Sequence, residues 1–84
     1  MEGTWRVARD QRVQITHLAE SALYRVRCDT GPEVEIHVYP AARDAAPLKL
    51  FVSAGNSLDV EGARIEILFH GPGDHAEGAY DVIA

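Results

Sequence analysis

The sequence has little of what marks several common protein classes. Cys28 is the only cysteine among 84 residues, so no disulfide can form within one chain, and a small buried hydrophobe is its expected role. The 8 Lys and Arg residues are scattered and are outnumbered by 13 Asp and Glu residues. Nucleic-acid binding needs clustered basic residues, so this composition argues against a nucleic-acid partner.

Long apolar runs are also missing. The longest apolar runs contain only a few residues, which is too short to cross a bilayer. The first five residues, MEGTW, lack the basic and then apolar layout of a secretion signal. We therefore expect no membrane partner and a cytoplasmic location. A chain of this length buries only about 60% of its unfolded surface, which favours oligomerisation as a way to supplement the core.

The sequence does have apolar and polar residues that alternate with a period of two. Residues 24–28 and 34–38 show this pattern most clearly, and it is typical of half-buried antiparallel strands. The pattern predicts one all-β domain over residues 1–84, a small antiparallel β-sandwich of about eight strands, with a jelly roll as one form of it. The predicted strands are 4–9, 12–17, 22–28, 34–39, 48–53, 57–61, 64–70 and 79–83.

One short turn signal predicts a tight hairpin. In residues 61–64 a glycine occupies the first central position, which suits a type II′ turn. That register places Val60 opposite Ile65 on the inner face. It also places Asp59 opposite Glu66 on the outer face, where like charges are unfavourable. A splayed, hydrated pair of carboxylates is the simpler expectation, and a bound cation or a partner arginine is the alternative.

Three longer segments predict the remaining connections. The loop at residues 29–33 predicts a hairpin that sets Cys28 against Val34, and Arg27 opposite Glu35. Two prolines bracket residues 40–47, which we expect to cross between sheets or to run along an edge. Residues 71–78 are rich in turn formers and predict an exposed loop.

Candidate catalytic and metal-binding groups are few. Asp74, His75 and Glu77 are weak candidates for a metal site, since a solvated acidic loop explains them as well. The four histidines belong to four different segments without the short spacing of a metal site: His17, His37, His70 and His75. The serines lie in turns, where hydroxyls cap backbone groups. We therefore expect no enzymatic activity and no cofactor.

Five apolar residues lie two positions from a charged or polar residue of the same predicted strand, so they fall on the face that should be exposed to solvent. One or two such residues would carry no meaning, but five on five predicted strands indicate that part of this face is covered. The alternatives are strands that bury both faces and a register that fails at strand ends. The interface hypothesis rests on these residues: Leu23, Tyr39, Phe51, Leu68 and Ile83.

The C-terminal half resembles a known group of structural proteins. Residues 52–67 (VSAGNSLDVEGARIEI) and 77–83 (EGAYDVI) resemble, in their rhythm of strands and turns, small β-sandwich accessory proteins of tailed-phage virions. These include head decoration or stabilisation proteins and tail accessory subunits. The resemblance implies a virion location, a symmetric oligomer, and capsid or tail subunits as partners.

The sequence thus predicts a non-enzymatic assembly subunit that binds itself or a larger protein particle. Such a subunit would use unpaired strand edges and the apolar outer residues. The alternative is a small carbohydrate-binding module. Tyr80 beside Asp81 is its best local candidate, because sugar sites favour exposed aromatics near carboxylates.

Overall fold

The structure, a computed structural model, describes residues 2–16, 21–41 and 45–83, and these form strands without any helix. The period-two pattern is confirmed: β4 alternates between half-buried and buried residues along its whole length. Eight strands were predicted and eight are present, namely β1 Glu2–Ala8, β2 Arg12–Thr16, β3 Ala22–Thr30, β4 Glu33–Tyr39, β5 Leu48–Ser53, β6 Ser57–Gly62, β7 Arg64–His70 and β8 His75–Val82.

The strands form two four-stranded sheets that pack face to face. Sheet A has the order β1-β8-β3-β6 and sheet B has the order β2-β7-β4-β5, and every pairing is antiparallel. The pairs β1 with β8, β2 with β7, β3 with β6 and β4 with β5 are those of one long hairpin rolled across both sheets. The fold is therefore an all-β sandwich of the jelly-roll type.

The core lies between the sheets and is built from the inward residues of both. Its largest fully buried side chains include Tyr24, Ile36, Ile65 and Ile67. Cys28 is fully buried among them, as predicted. In the part of the chain that the structure describes, no helix is long and apolar enough to cross a membrane.

A glycine in a central strand makes room for the only tryptophan. Gly78 of β8 pairs with Trp5 of β1 and with Cys28 of β3. A Cβ at Gly78 would lie 2.5 Å from Trp5 Cζ2 and would overlap the main-chain oxygen of Arg27. Trp5 donates its indole N–H to the main-chain oxygen of Ala79 at 3.2 Å. Gly78 thus lets a buried indole cross the inner surface of sheet A.

The predicted tight hairpin at residues 61–64 is wrong. β6 pairs with β3 in sheet A, whereas β7 pairs with β2 and β4 in sheet B. The chain turns from one sheet to the other at Ala63, whose N–H donates to the main-chain oxygen of Tyr39 at 2.8 Å. Asp59 and Glu66 therefore lie on opposite outer faces and do not oppose each other.

The other predicted connections also change. The loop at residues 29–33 joins β3 in sheet A to β4 in sheet B, so Arg27 does not pair with Glu35. Residues 40–47 connect β4 with β5, which are antiparallel neighbours in sheet B; β5 is an edge strand of that sheet. Finally, β8 starts at His75, so the predicted loop at residues 71–78 is shorter at its C-terminal end.

Candidate assembly interface

The structure distributes the five predicted interface residues over both outer faces. Tyr39, Phe51 and Leu68 lie on the outer face of sheet B, opposite polar partners in the register. Leu23 belongs to sheet A, where it pairs with Glu61. The Ile83 N–H donates to the main-chain oxygen of Leu23 at 2.9 Å. The five residues therefore do not form one continuous patch.

The outer face of sheet B, called the B face below, is ordered in rows because its strands are in register. Each row crosses the sheet from β5 through β4 and β7 to β2. The rows are Ser53–Glu33–His70, then Phe51–Glu35–Leu68–Arg12, then Lys49–His37–Glu66–Gln14, and last Tyr39–Arg64–Thr16.

A buried carboxylate lies near the centre of the B face. Glu66 is only 5% exposed, although its side chain points away from the core. Its Oε1 accepts a hydrogen bond from the Tyr39 hydroxyl at 3.1 Å and another from Arg12 Nη1 at 3.2 Å. The Arg64 guanidinium lies 4.0 Å from the centroid of the Tyr39 ring, a cation–π contact that completes the cover.

Two histidines on the B face each contact a glutamate. His37 Nε2 is paired with Glu35, and both side chains are about four-fifths buried. His70 Nδ1 lies 3.0 Å from Glu33 Oε1. The His70 ring also contacts Phe51 edge to face, with centroids 5.1 Å apart. The B face therefore combines an aromatic contact with two histidine–glutamate pairs.

Edge strand β5 carries the two most exposed large apolar side chains of the described residues. Leu48 is 57% exposed and Phe51 is 45% exposed. Alternation did not identify Leu48 as exposed, because it places Leu48 on the inner face of sheet B, opposite the buried Val38. Leu48 starts an edge strand, so less of the second sheet covers it. Its position directly after Pro47 was the one signal in the sequence that could have indicated this exposure.

The outer face of sheet A, called the A face below, has a different charge balance. Asp59 forms a bidentate pair with Arg25 at 2.9 and 3.1 Å, and this pair lowers the pKa of Asp59. Arg27 pairs in the same way with Asp29. The A face carries six carboxylates and three arginines, which are Glu2, Asp29, Asp59, Glu61, Glu77 and Asp81 with Arg6, Arg25 and Arg27. Besides its two histidines, the B face carries three carboxylates and three Lys or Arg side chains, which are Glu33, Glu35 and Glu66 with Arg12, Lys49 and Arg64.

The weak metal candidates lie near the start of β8. His75 Nε2 and Glu77 Oε1 are 3.2 Å apart. Asp74 lies in the preceding turn, where its main-chain oxygen accepts a hydrogen bond from Arg9 N. Across residues 2–16, 21–41 and 45–83, no group of three His, Cys, Asp or Glu side chains could hold a metal ion. His17 lies outside the described residues.

The two residues suggested for sugar binding point in opposite directions. Tyr80 packs against the core, opposite Val26. Asp81 follows it on β8, so its side chain lies on the A face opposite Arg25. Tyr80 and Asp81 therefore do not form an aromatic and carboxylate pair on one surface.

Comparisons with known proteins give one structural likeness. No family model matches the chain, and no curated protein matches it. The structure is similar to a chain from the disulfide-linked pili that form Bacillus endospore appendages, with a TM-score of 0.56 and 16% sequence identity. The match covers 95% of this chain and 82% of that chain. At this identity the likeness shows the fold alone. It is a likeness to a structural protein, and a likeness to a tailed-phage decoration protein is not shown.

Proposed function

We propose that this protein is a non-enzymatic structural subunit that assembles with copies of itself through edge strand β5. The observation that carries the proposal is the position of Leu48 and Phe51. These are the two most exposed large apolar side chains of the described residues, and both lie on β5. An edge strand hydrogen-bonds to one neighbour only, so β5 offers both main-chain groups and apolar area to a second chain.

The direction of the strands supports the addition of further copies. Each sheet has four antiparallel strands, so β2 runs antiparallel to β5, and β1 runs antiparallel to β6. A second copy in the same orientation can therefore place its β2 beside β5 as an antiparallel neighbour. Because this contact joins two different edges, it leaves a free edge at each end and favours an open chain of subunits.

Some devices that prevent such pairing are present, but none of them closes β5 in the part of the chain that the structure describes. Pro47 lies directly before β5 and outside the strand. The single register shift among the described strand pairs lies between β3 and β8, which are central strands. Lys49 is the only lysine of the chain and lies on β5, but its side chain is oriented towards Glu35 at 3.9 Å. β5 therefore keeps an edge to which another strand can be added.

A virion role is a narrower form of the same proposal. A decoration or tail accessory protein would bind capsid or tail subunits, whereas a pilus grows by adding its own subunits. The exposed β5 edge serves either partner. The likeness to a chain from Bacillus endospore pili supports self-addition as the first form to test.

The arrangement of the charged groups supports a role without catalysis. The pairs of His70 with Glu33 and of His75 with Glu77 lie on open sheet surfaces, where water is not excluded from a reacting group. Two surface hollows of the described residues lie on the A face and are lined largely by charged and small side chains such as Arg6, Glu77 and Ala79.

Light scattering on a paired set of variants tests the proposal. The Leu48→Ser, Phe51→Ser double variant removes both apolar contacts from β5, and we expect it to stay at the monomer mass over a hundredfold concentration range. The wild-type protein should increase in mass over that range. Both side chains are largely exposed, so thermal unfolding of the variant should remain close to that of the wild type.

The matched control is the Leu23→Ser, Ile83→Ser double variant, which changes the A face instead. This control should assemble like the wild type. A wild-type protein that stays monomeric throughout, or a β5 variant that assembles normally, would contradict the proposal.

A further inference from the structure

The two outer faces differ in how they would meet a second copy of the same face. A twofold contact brings the same patch of both subunits together, so the net charge of that patch opposes an equal net charge. Six carboxylates and three arginines make the A face self-repelling. The B face, with three carboxylates against three basic side chains, carries no such penalty.

The register of the central strands makes the B face complementary to itself. β4 and β7 are adjacent and in register over their whole length. A twofold axis that runs parallel to these strands and between them exchanges β4 with β7. Each β4 residue then faces, on the second copy, the residue that is already its cross-strand neighbour.

Three of the four outward pairs between β4 and β7 are chemically complementary, and the fourth sets Glu35 opposite Leu68. Glu33 would face His70 of the second copy, and His37 would face Glu66 of the second copy. Tyr39 would face Arg64 of the second copy, which repeats between subunits the cation–π contact present within one. The same axis exchanges β5 with β2, so that Phe51 would face Arg12 of the second copy.

We propose that the B face binds the B face of a second copy around this axis. The occupant is a second copy because the charges of the face match their own twofold image. This contact goes beyond edge addition and does not depend on it. Addition through β5 extends the sheets sideways, whereas the face contact would join two such rows back to back.

The size of the face predicts a weak contact. Four strands at a spacing of about 4.8 Å, each contributing about six residues at about 3.3 Å, give a face on the order of 400 Å² in projection. A stable interface buries about 800 Å² per partner. The face contact should therefore form at high protein concentration, or where edge addition repeats it along a chain.

Cross-linking of single thiols with a short bismaleimide tests the face contact. Leu68 faces Glu35 of the second copy, so the two Leu68 residues are neighbours across the axis but lie farther apart than a disulfide can span. In a Cys28→Ala background, Leu68→Cys places a thiol on β7, close to the axis. We expect the cross-linker at high protein concentration to give at least tenfold more covalent dimer than with Ala79→Cys, which places a thiol on central strand β8 of the A face. Glu35→Cys on β4 is a second variant near the axis, in case Leu68→Cys disturbs folding.

The outcomes separate this inference from the proposed function. Edge addition keeps Leu68 residues of neighbouring copies about 19 Å apart, since their strands are separated by four strand spacings. Assembly of the wild type without a dimer from either B-face variant would overturn the face contact and leave edge addition intact. A trapped dimer, together with normal assembly of the single variant Leu48→Ser, whose side chain lies outside the B face, would support the face contact and contradict edge addition.

Discussion

At the scale of single residues, Cys28 shows how its surroundings control a reactive group. Its side chain is fully buried, and Sγ lies 3.6 Å from the main-chain oxygen of Thr30. Burial raises the pKa of this thiol, and the nearby Asp29 carboxylate raises it further. At a given pH the folded protein therefore holds less thiolate than the unfolded chain, and the thiolate is the reactive species.

We expect Cys28 to be nearly inert in the folded protein. A thiol reagent such as DTNB at neutral pH should react about 100-fold more slowly with the native protein than with protein in denaturant, since reaction requires local opening. Oxidation of the wild type should give no ladder of disulfide-linked oligomers. Rapid stoichiometric reaction of the native protein would contradict the assignment.

The B face also shows which residue properties can be read from the sequence. Alternation was sufficient to put Tyr39, Phe51 and Leu68 on an outer face, because parity along a strand decides the face. Their role as an interface remains a prediction. The burial of Glu66 could not be predicted, since Arg12 and Tyr39, which cover it, come from two other strands.

At the scale of strands and turns, every connection changes sheet except that between β4 and β5. Strand positions were predicted well because the apolar period is local. Strand pairing was not predicted well, because the sequence of a short turn such as residues 61–64 fits a hairpin within one sheet and also a corner between two stacked sheets. The inner faces of both sheets need the same alternation, so the pattern does not identify the partner strand.

The central strand β8 depends on Gly78, and we predict a large penalty for Gly78→Ala. The new Cβ would meet the backbone oxygen of Arg27 and the ring of Trp5, so sheet A would have to separate locally. The free energy of unfolding should fall by about 3 kcal/mol or more. Urea unfolding followed by circular dichroism measures it.

Gly3→Ala is the matched control for Gly78→Ala. Both glycines lie in paired strands of sheet A, but the Cβ at Gly3 would meet the outer end of the Tyr80 side chain, 2.6 Å from its hydroxyl oxygen. A side chain can move where a backbone oxygen cannot, so Gly3→Ala should cost less than about 1.5 kcal/mol. Equal losses for both variants would show that the Tyr80 side chain yields no more easily than a backbone oxygen, and would contradict this distinction.

At the scale of the whole molecule, the strand pairs of the rolled hairpin differ in how far apart their two strands lie in the sequence. β4 and β5 form the tip and are joined by residues 40–47. β1 and β8 form the open end, where Glu2 pairs with Asp81. Closing the open end costs the most loop entropy, so the tip should form first and the β1–β8 pair last.

Two equivalent deletions in the core test this order of folding. Val34 on β4 and Val7 on β1 are both fully buried, so Val34→Ala and Val7→Ala remove the same groups from opposite ends of the rolled hairpin. Trp5 is the only tryptophan, and its fluorescence reports closure of the open end in stopped-flow experiments. Folding should take milliseconds to seconds, as expected for a fold dominated by pairing between distant strands.

Val34→Ala should mainly slow folding, and Val7→Ala should mainly accelerate unfolding, because only the first site is ordered in the transition state. The reverse assignment would mean that folding starts where the ends of the chain meet, and the tip would then be the last element to order.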